Sequence, residues 1–381
     1  MDYGFDEKKL ALRERIRAFV EEELPKEYVR ELDARDEYPH DLLKKLAQRE
    51  FTAVNVPVHY GGLGGDVIDT MIIYGEISTR LPVLAWALGN IMLYGNEIIA
   101  LNGSQEQKDE YLPRLAKGEL KFAFALTEPN AGSDAANIKT RAVYEDGHYV
   151  INGSKMFISG SSVANYTITF TRTAESRYGG ITAFVVDTRS PGYSATPIKK
   201  LGYHGSDTCA VYYDNVKVLP ENILGGASEL NKGWQQEMKL LNTERLVLSS
   251  CALGIATAAL DDAIAFARSN FDNALFRDRL QGIQHRLVEM ATELEAAKQL
   301  SYYAAWKETK GLDCVRETSM SKYLAAETAK RITLQGINIL GQHGSLMEQD
   351  MQRYLRDVLI LSIGGGTTQI QKNIVGKMLG L

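Results

Sequence analysis

The spacing of apolar positions changes twice along the chain. From Lys8 to about Gly118 it is helical: Leu12, Ile16, Phe19 and Val20 stand at i, i+4, i+7 and i+8, one face of a helix. Leu42, Leu43 and Leu46 repeat that spacing, and a long Ala/Leu/Ile-rich stretch runs from Asp69 to Ile99. The intervening Val56-Pro57-Val58-His59-Tyr60-Gly61-Gly62-Leu63-Gly64-Gly65-Asp66 reads as a loop. Its glycines do not fit Gly-x-Gly-x-x-Gly, and no βαβ pattern surrounds them.

Between Lys121 and about Gly226 the period becomes two. Val143-Tyr144 and Tyr149-Val150-Ile151 flank Glu145-Asp146-Gly147 as a hairpin, and Asn152-Gly153 reads as another tight turn. Tyr166–Phe170, Ile181–Val186 and Ala210–Tyr213 are further strands with no helical pattern between them. The expected sheet is therefore antiparallel, a barrel or a sandwich. From Trp234 the helical period returns: Ile283, Leu287, Met290, Leu294, Ala297 and Leu300 form a seam suited to an antiparallel bundle. The expected fold class is α+β, with three domains: helical (residues 1–120), a β domain (121–226) and a C-terminal four-helix bundle (227–381).

Composition adds only boundaries to this picture. Of 381 residues, 45% are apolar, which excludes a disordered chain. Lys and Arg number 43 against 48 Asp and Glu, a net charge of −5, so no basic balance points to nucleic acid. Cys209, Cys251 and Cys314 are odd in number and far apart, which implies neither a disulfide framework nor a zinc ribbon and suits a reducing, cytoplasmic setting. No paired His or Cys spacing suggests a metal. No signal or transit segment is apparent, and no uninterrupted apolar run approaches the ~20 residues of a membrane span.

Two stretches could carry chemistry. Gly364-Gly365-Gly366-Thr367-Thr368-Gln369-Ile370-Gln371 opens the last helix, where free N–H groups and the helix dipole favour an anion, although a Thr-capped flexible connection has the same sequence. Leu126-Thr127-Glu128-Pro129-Asn130-Ala131-Gly132-Ser133-Asp134 is a strand end and a polar loop, which could hold phosphate or be a loop only.

Together these stretches resemble the acyl-CoA dehydrogenase family. The carriers are the Thr-Glu-Pro-x-Ala-Gly-Ser-Asp box at Thr127, a Lys-x-Trp-Ile-Thr-like box at Lys155, and Gly366-Thr367-Thr368-Gln369-Ile370-Gln371. Tyr60-Gly61-Gly62, Lys200–Ser206, Asp214-Asn215-Val216 and Arg353–Asp357 follow in the same order. The resemblance runs from about residue 5 to the C-terminus. It implies the helical/β/four-helix-bundle fold and FAD-dependent α,β-dehydrogenation of an acyl thioester, in which a carboxylate removes the α-proton and the β-hydrogen leaves as hydride. The thioester carbonyl is polarised in part by one backbone N–H, here that of Gly365.

Many members carry the base where this chain has Gly365. A subgroup similar to isovaleryl-CoA dehydrogenase places it on an earlier helix, and Asn242-Thr243-Glu244-Arg245-Leu246 resembles that segment. Glu244 is thus the candidate base, set against the commoner fate of a helix Glu, a surface ion pair. The resemblance implies FAD contacts at Phe124, Leu126, Thr127 and Ser133. Phe157 stands where Trp is usual and Ser159 where Thr is usual. Thr367 and Gln369 complete the set, with Asn338 in a stretch where Gln is usual. For Phe124 and Phe157, packing in the sheet core is the alternative. Asn270-Phe271-Asp272-Asn273-Ala274 replaces an Arg-x-x-Phe-Gly stretch that reaches a neighbouring subunit's FAD, with Arg277 a substitute for the missing Arg.

The implied partners are an acyl-CoA, an electron-transfer flavoprotein and three further copies in a homotetramer. The bare Gly364 and Gly365 suggest room for a branched or unusual acyl group. Three other readings are an enoyl-CoA reductase, a dehydrogenase of carrier-protein thioesters and a non-catalytic relative.

Overall fold

The computed structural model describes residues 5–270 and 280–381. Its N-terminal part is helical: α1 (Glu7–Glu23), α2 (Lys26–Arg35), α3 (His40–Gln48), α4 (Val67–Ser78), α5 (Pro82–Ile91), α6 (Ile98–Asn102) and α7 (Gln105–Ala116). Asp6 starts α1 by accepting from the Lys9 N–H at 2.8 Å. The buried face of α1 is Leu12, Ile16, Phe19 and Val20, as their spacing predicts. Each such side chain contributes about 1.5–3 kcal/mol by burial. A capping box between Asp66 and Asp69 sets the start of α4 at the end of the glycine-rich loop.

Between α5 and α6 the rod continues through a π-helical turn, Met92–Glu97. Pro82–Asn102 is therefore one 21-residue helical unit, and 78% of its apolar window lies inside the fold. The same share holds for the 37-residue helix α8 (Gly233–Ser269). Both are long and apolar enough to cross a membrane, longer than the sequence's uninterrupted apolar runs suggest, because small and polar residues interrupt the runs. Here other helices cover them.

The middle part is one seven-stranded sheet: β1 (Phe122–Ala125), β2 (Arg141–Glu145), β3 (His148–Ser159), β4 (Tyr166–Arg172), β5 (Ile181–Asp187), β6 (Tyr193–Pro197) and β7 (Thr208–Val218), in the order β1-β4-β2-β3-β7-β6 with β5 on β4. The 143–151 hairpin forms, its turn made by Asp146 and Gly147 at φ +47° and +83°, the left-handed pair a two-residue hairpin requires. Two expectations change. The sheet is mixed rather than wholly antiparallel, since β1 lies parallel to β4 (Phe122↔Tyr166 to Ala125↔Thr169), and β2 meets β4 in parallel at Arg141↔Arg172. The β2–β3 hairpin separates β1 from β4 in sequence, which leaves chain enough for a crossover. Asn152-Gly153 is not a turn either. β3 runs through it, and the pairing with β7 slips between Ile151 and Gly153 in a bulge, with Gly153 at φ +147°. Strand β6, at the sheet's edge and largely uncovered, has no hydrophobic alternation for the sequence to show.

The C-terminal part packs α8 against α9 (Leu280–Thr309) and α10 (Val315–Leu340), and the short α11 (Met351–Val358) and α12 (Thr368–Met378) close the bundle. Along the α9 seam Met290, Leu294 and Ala297 are buried, while Ile283 and Leu287 are half-buried. Helix α8 also packs on α4, so it joins the bundle to the N-terminal helices.

Candidate active site

Glu244 sits about three turns into α8 and is 7% exposed. Its partner is no surface cation: the Tyr94 hydroxyl donates to Oε1 at 3.0 Å. Burial raises the carboxyl's pKa, against the Tyr94 hydrogen bond and the charges of Arg245 and Lys322, which lower it. A Cβ on Gly365 would lie 3.8 Å from the Glu244 carboxyl carbon and 2.3 Å from Leu248 Cδ1. The carboxyl of α8 therefore reaches the position that a side chain at residue 365 would command. Leu248, one turn further on, fills the space beside it. The expected extra room is thus reduced to Gly364, where a Cβ would meet Ile360 O and Trp86 at 3.6 Å.

The loop before α12 is built by its glycines. Gly365 and Gly366 adopt φ +62° and +84°, open to glycine at no steric cost. Two side chains hold the carbonyls: Lys322 Nζ donates to Gly366 O at 2.6 Å, and Gln371 Nε2 donates to Gly365 O at 3.0 Å. Thr367 caps α12, its hydroxyl accepting from the Ile370 N–H. With the carbonyls turned to Lys322 and Gln371, the N–H groups of Gly365, Gly366 and Thr367 find no acceptor among the described residues. An acceptor oxygen near Gly365 would thus meet a free N–H within reach of Glu244. Burial lowers the pKa of Lys322 to about 8, against the pull of Glu244.

The sheet supplies the other wall. Phe124 on β1 stacks on Tyr94 with ring centres 5.0 Å apart and tilts against Phe170, so it packs as the core alternative described. Thr127 follows, its carbonyl accepting from Met156 N–H at 2.9 Å, which places the first box beside the second. A buried ion pair fixes that junction: Lys155 Nζ lies 2.9 Å from Glu128 Oε1 and donates to Leu126 O at 3.0 Å. Glu128 also accepts from the Lys139 and Thr140 N–H groups. Burial would raise its pKa, but Lys155 and these donors bring it below the usual range. Phe157 is 65% exposed at φ +61°, so its ring is not core, and a strained backbone presents it to a surface. Ser159 Oγ accepts from Trp86 Nε1 at 2.8 Å, and Trp86 also packs against Tyr203 at 5.0 Å.

The fold thus gathers Glu244, Gly365, Phe124, Leu126, Thr127, Ser159 and Thr367 around α8, the π turn and the sheet edge. Ser133, Asn338 and Gln369 are exposed, and no side-chain hydrogen bond ties them to that cluster among the described residues. Of the altered subunit-contact stretch, Asn270 caps α8, whereas Phe271, Asp272, Asn273, Ala274 and Arg277 lie outside the described residues. Sequence reasoning missed Tyr94, Trp86, Lys155 as a buried cation, and Lys322. Lys155 enters the sequence reading only as part of a motif box and Lys322 not at all, and burial is what marks both.

Comparison with known proteins agrees with this geometry. The N-terminal, middle and C-terminal domains of the acyl-CoA dehydrogenase family match residues 6–119, 123–216 and 231–380. An acyl-CoA dehydrogenase of Bacillus subtilis is 36% identical over 377 residues, 98% of each chain. A caffeyl-CoA reductase–Etf complex subunit of Acetobacterium woodii is 34% identical over 98% of this chain and 99% of its own. The butyryl-CoA dehydrogenase structure from Megasphaera elsdenii superposes with a TM-score of 0.95 at 31% identity, covering 100% of both chains. The chain belongs to the acyl-CoA dehydrogenase family, oxidoreductases that act on CH–CH bonds.

Proposed function

We propose that this enzyme binds FAD and removes the α-proton of an acyl-CoA with Glu244. The observation that carries the reading is the Glu244 carboxyl, buried and 3.8 Å from the vacant Cβ position of Gly365. The residues present fit FAD. Phe157 offers an uncovered ring near the end of β3, Ser159 a hydroxyl, and Thr127 and the Gly366-Thr367 loop further polar groups. FAD, when bound, accepts the β-hydrogen as hydride.

The chain's own groups do the rest. The free N–H of Gly365 donates to the thioester oxygen as negative charge develops there. Glu244 takes the α-proton on the oxygen not held by Tyr94, which keeps the carboxylate oriented. Burial keeps water from competing and raises the base toward working pH. The exposed Ser133, Asn338 and Gln369 fit the remaining parts of FAD, or the same group of a neighbouring copy in a homotetramer. The electrons pass to an electron-transfer flavoprotein, a reading supported by the Etf-complex relative. We place the protein in the cytoplasm, where its three buried free cysteines remain reduced.

Flavin-loaded protein should bleach anaerobically with one member of an acyl-CoA panel, and Glu244→Gln should slow this by about 10³-fold or more. Bleaching of E244Q at the wild-type rate would remove Glu244 as base. The reverse reaction, enoyl-CoA reduction, is the second reading, favoured by the reductase relative. It predicts faster oxidation of reduced enzyme by enoyl-CoA than bleaching by acyl-CoA.

A further inference from the structure

Two turns before Glu244, α8 carries a second carboxyl, Glu237. It is 5% exposed, and its Oε2 has no hydrogen-bond partner among the described residues. Seven residues advance a helix by about 10 Å and return to nearly the same face, so Glu237 and Glu244 lie on one wall. Their electrostatics agree: after burial, Glu244 is the largest influence raising the Glu237 pKa, and both carboxyls act on Tyr94. Arg245 is the cation that acts on Glu237, but its guanidinium is turned to Ser319 Oγ at 3.5 Å.

Of the neighbouring positions of α8, Leu240 is apolar and fully buried and Thr243 donates to Glu97 at 3.5 Å, while Gln236 donates to Leu224 O at 2.8 Å and leaves its own Oε1 without a partner among the described residues. An unpaired buried carboxyl carries a desolvation cost that a leucine would not. A partner arriving from outside the chain offsets that cost. Apolar substituents gain nothing from Glu237, and a second negative charge is excluded by Glu244. A neutral donor suits it best, because bringing in an ammonium would require burying a further charge.

We propose that Glu237 sets the acyl specificity of the site by accepting a hydrogen bond from a hydroxyl on the acyl chain, about 10 Å along α8 from the α-carbon. The proposal rests on the reading of Glu244 as base, since that fixes where the α-carbon lies. It places the substrate among hydroxyl-bearing acyl thioesters rather than simple alkyl ones. A reaction that attaches or uncovers such a hydroxyl must supply this substrate.

The test uses flavin-loaded full-length protein and ω-hydroxyacyl-CoA thioesters of about five to eight carbons, each beside its unsubstituted counterpart. Wild type should bleach at least one hydroxylated member with kcat/KM about 10-fold or more above the matched alkyl ester. In Glu237→Leu the preference should vanish or invert, and Glu237→Gln, which retains an accepting oxygen, should keep part of it. Flavin absorbance and thermal midpoint report folding of each variant, and E237Q carries the test if E237L does not fold. Equal use of both esters by wild type, or an unchanged preference in E237L, overturns the proposal while leaving Glu244 in place. Bleaching by no thioester, or full activity of E244Q, overturns the catalytic reading and this proposal with it.

Discussion

The Tyr94 hydroxyl donates to Glu244 Oε1 at 3.0 Å, joining residues 150 apart in sequence. Tyr94 lies in the π turn between α5 and α6, where the changed helical register aims side chains that a regular helix would place elsewhere. The bond favours ionised Glu244, whereas burial favours the protonated form. Activity needs the ionised form, so kcat/KM should rise with pH through a pKa above the ordinary carboxyl value. Tyr94→Phe should move that rise to higher pH and lower activity at pH 6 by about 10-fold, with a smaller loss at pH 8. A pH-rate profile with the same rise in both proteins would leave Tyr94 a packing residue only.

Lys322 acts on the same carboxyl from α10. Lys322→Met removes a charge that lowers the Glu244 pKa and a donor to Gly366 O. Its pH profile should shift in the same direction as that of Y94F, and stability should fall by about 1–3 kcal/mol as the carbonyl loses its charged partner. Thermal unfolding and the profile together check both effects.

Gly365 cannot be replaced cheaply. Alanine there would adopt φ +62° and meet Leu248 Cδ1 at 2.3 Å. Left-handed strain and overpacking should together cost about 2–4 kcal/mol. Moving the base to residue 365, by Gly365→Glu with Glu244→Gly, should restore flavin bleaching only when Leu248→Ala clears the space. Restoration without the Leu248 change would contradict this crowding.

The Lys155–Glu128 pair should be asymmetric to mutation. Lys155→Met leaves a buried carboxylate held by the Lys139 and Thr140 N–H groups without its cation, and stability should fall by about 3–5 kcal/mol. Adding Glu128→Gln should recover part of that loss. A double-mutant cycle by thermal unfolding reads the coupling, and strict additivity would show that the pair is not coupled.

Ser159→Ala should strand the Trp86 indole N–H, now bonded at 2.8 Å. A destabilisation of about 1–3 kcal/mol is expected, and Ser159→Thr should restore it. Thermal midpoints of the two variants decide this.

Much of the architecture was legible locally. The α1 face, the Asp146-Gly147 hairpin turn and the Thr367 cap each depend on residues a few positions apart, and all appear where their patterns place them. Asn152-Gly153 misled because the same dipeptide serves a turn or a bulge, and the choice depends on pairing with β7. The parallel placement of β1 on β4 likewise depends on a crossover that has no local signature.

The sequence alone determined three regions, two of helical period flanking one of period two, and glycines at 364–366 where a side chain could have stood. Tertiary structure decided that Glu244, on a helix more than 100 residues earlier, would reach that gap. It also turned Tyr94, Lys322 and Glu237 from unremarkable residues into groups with shifted pKa values. The physical reason is desolvation: a carboxyl, phenol or ammonium has its ordinary chemistry in water, and only the packing of distant segments removes the water.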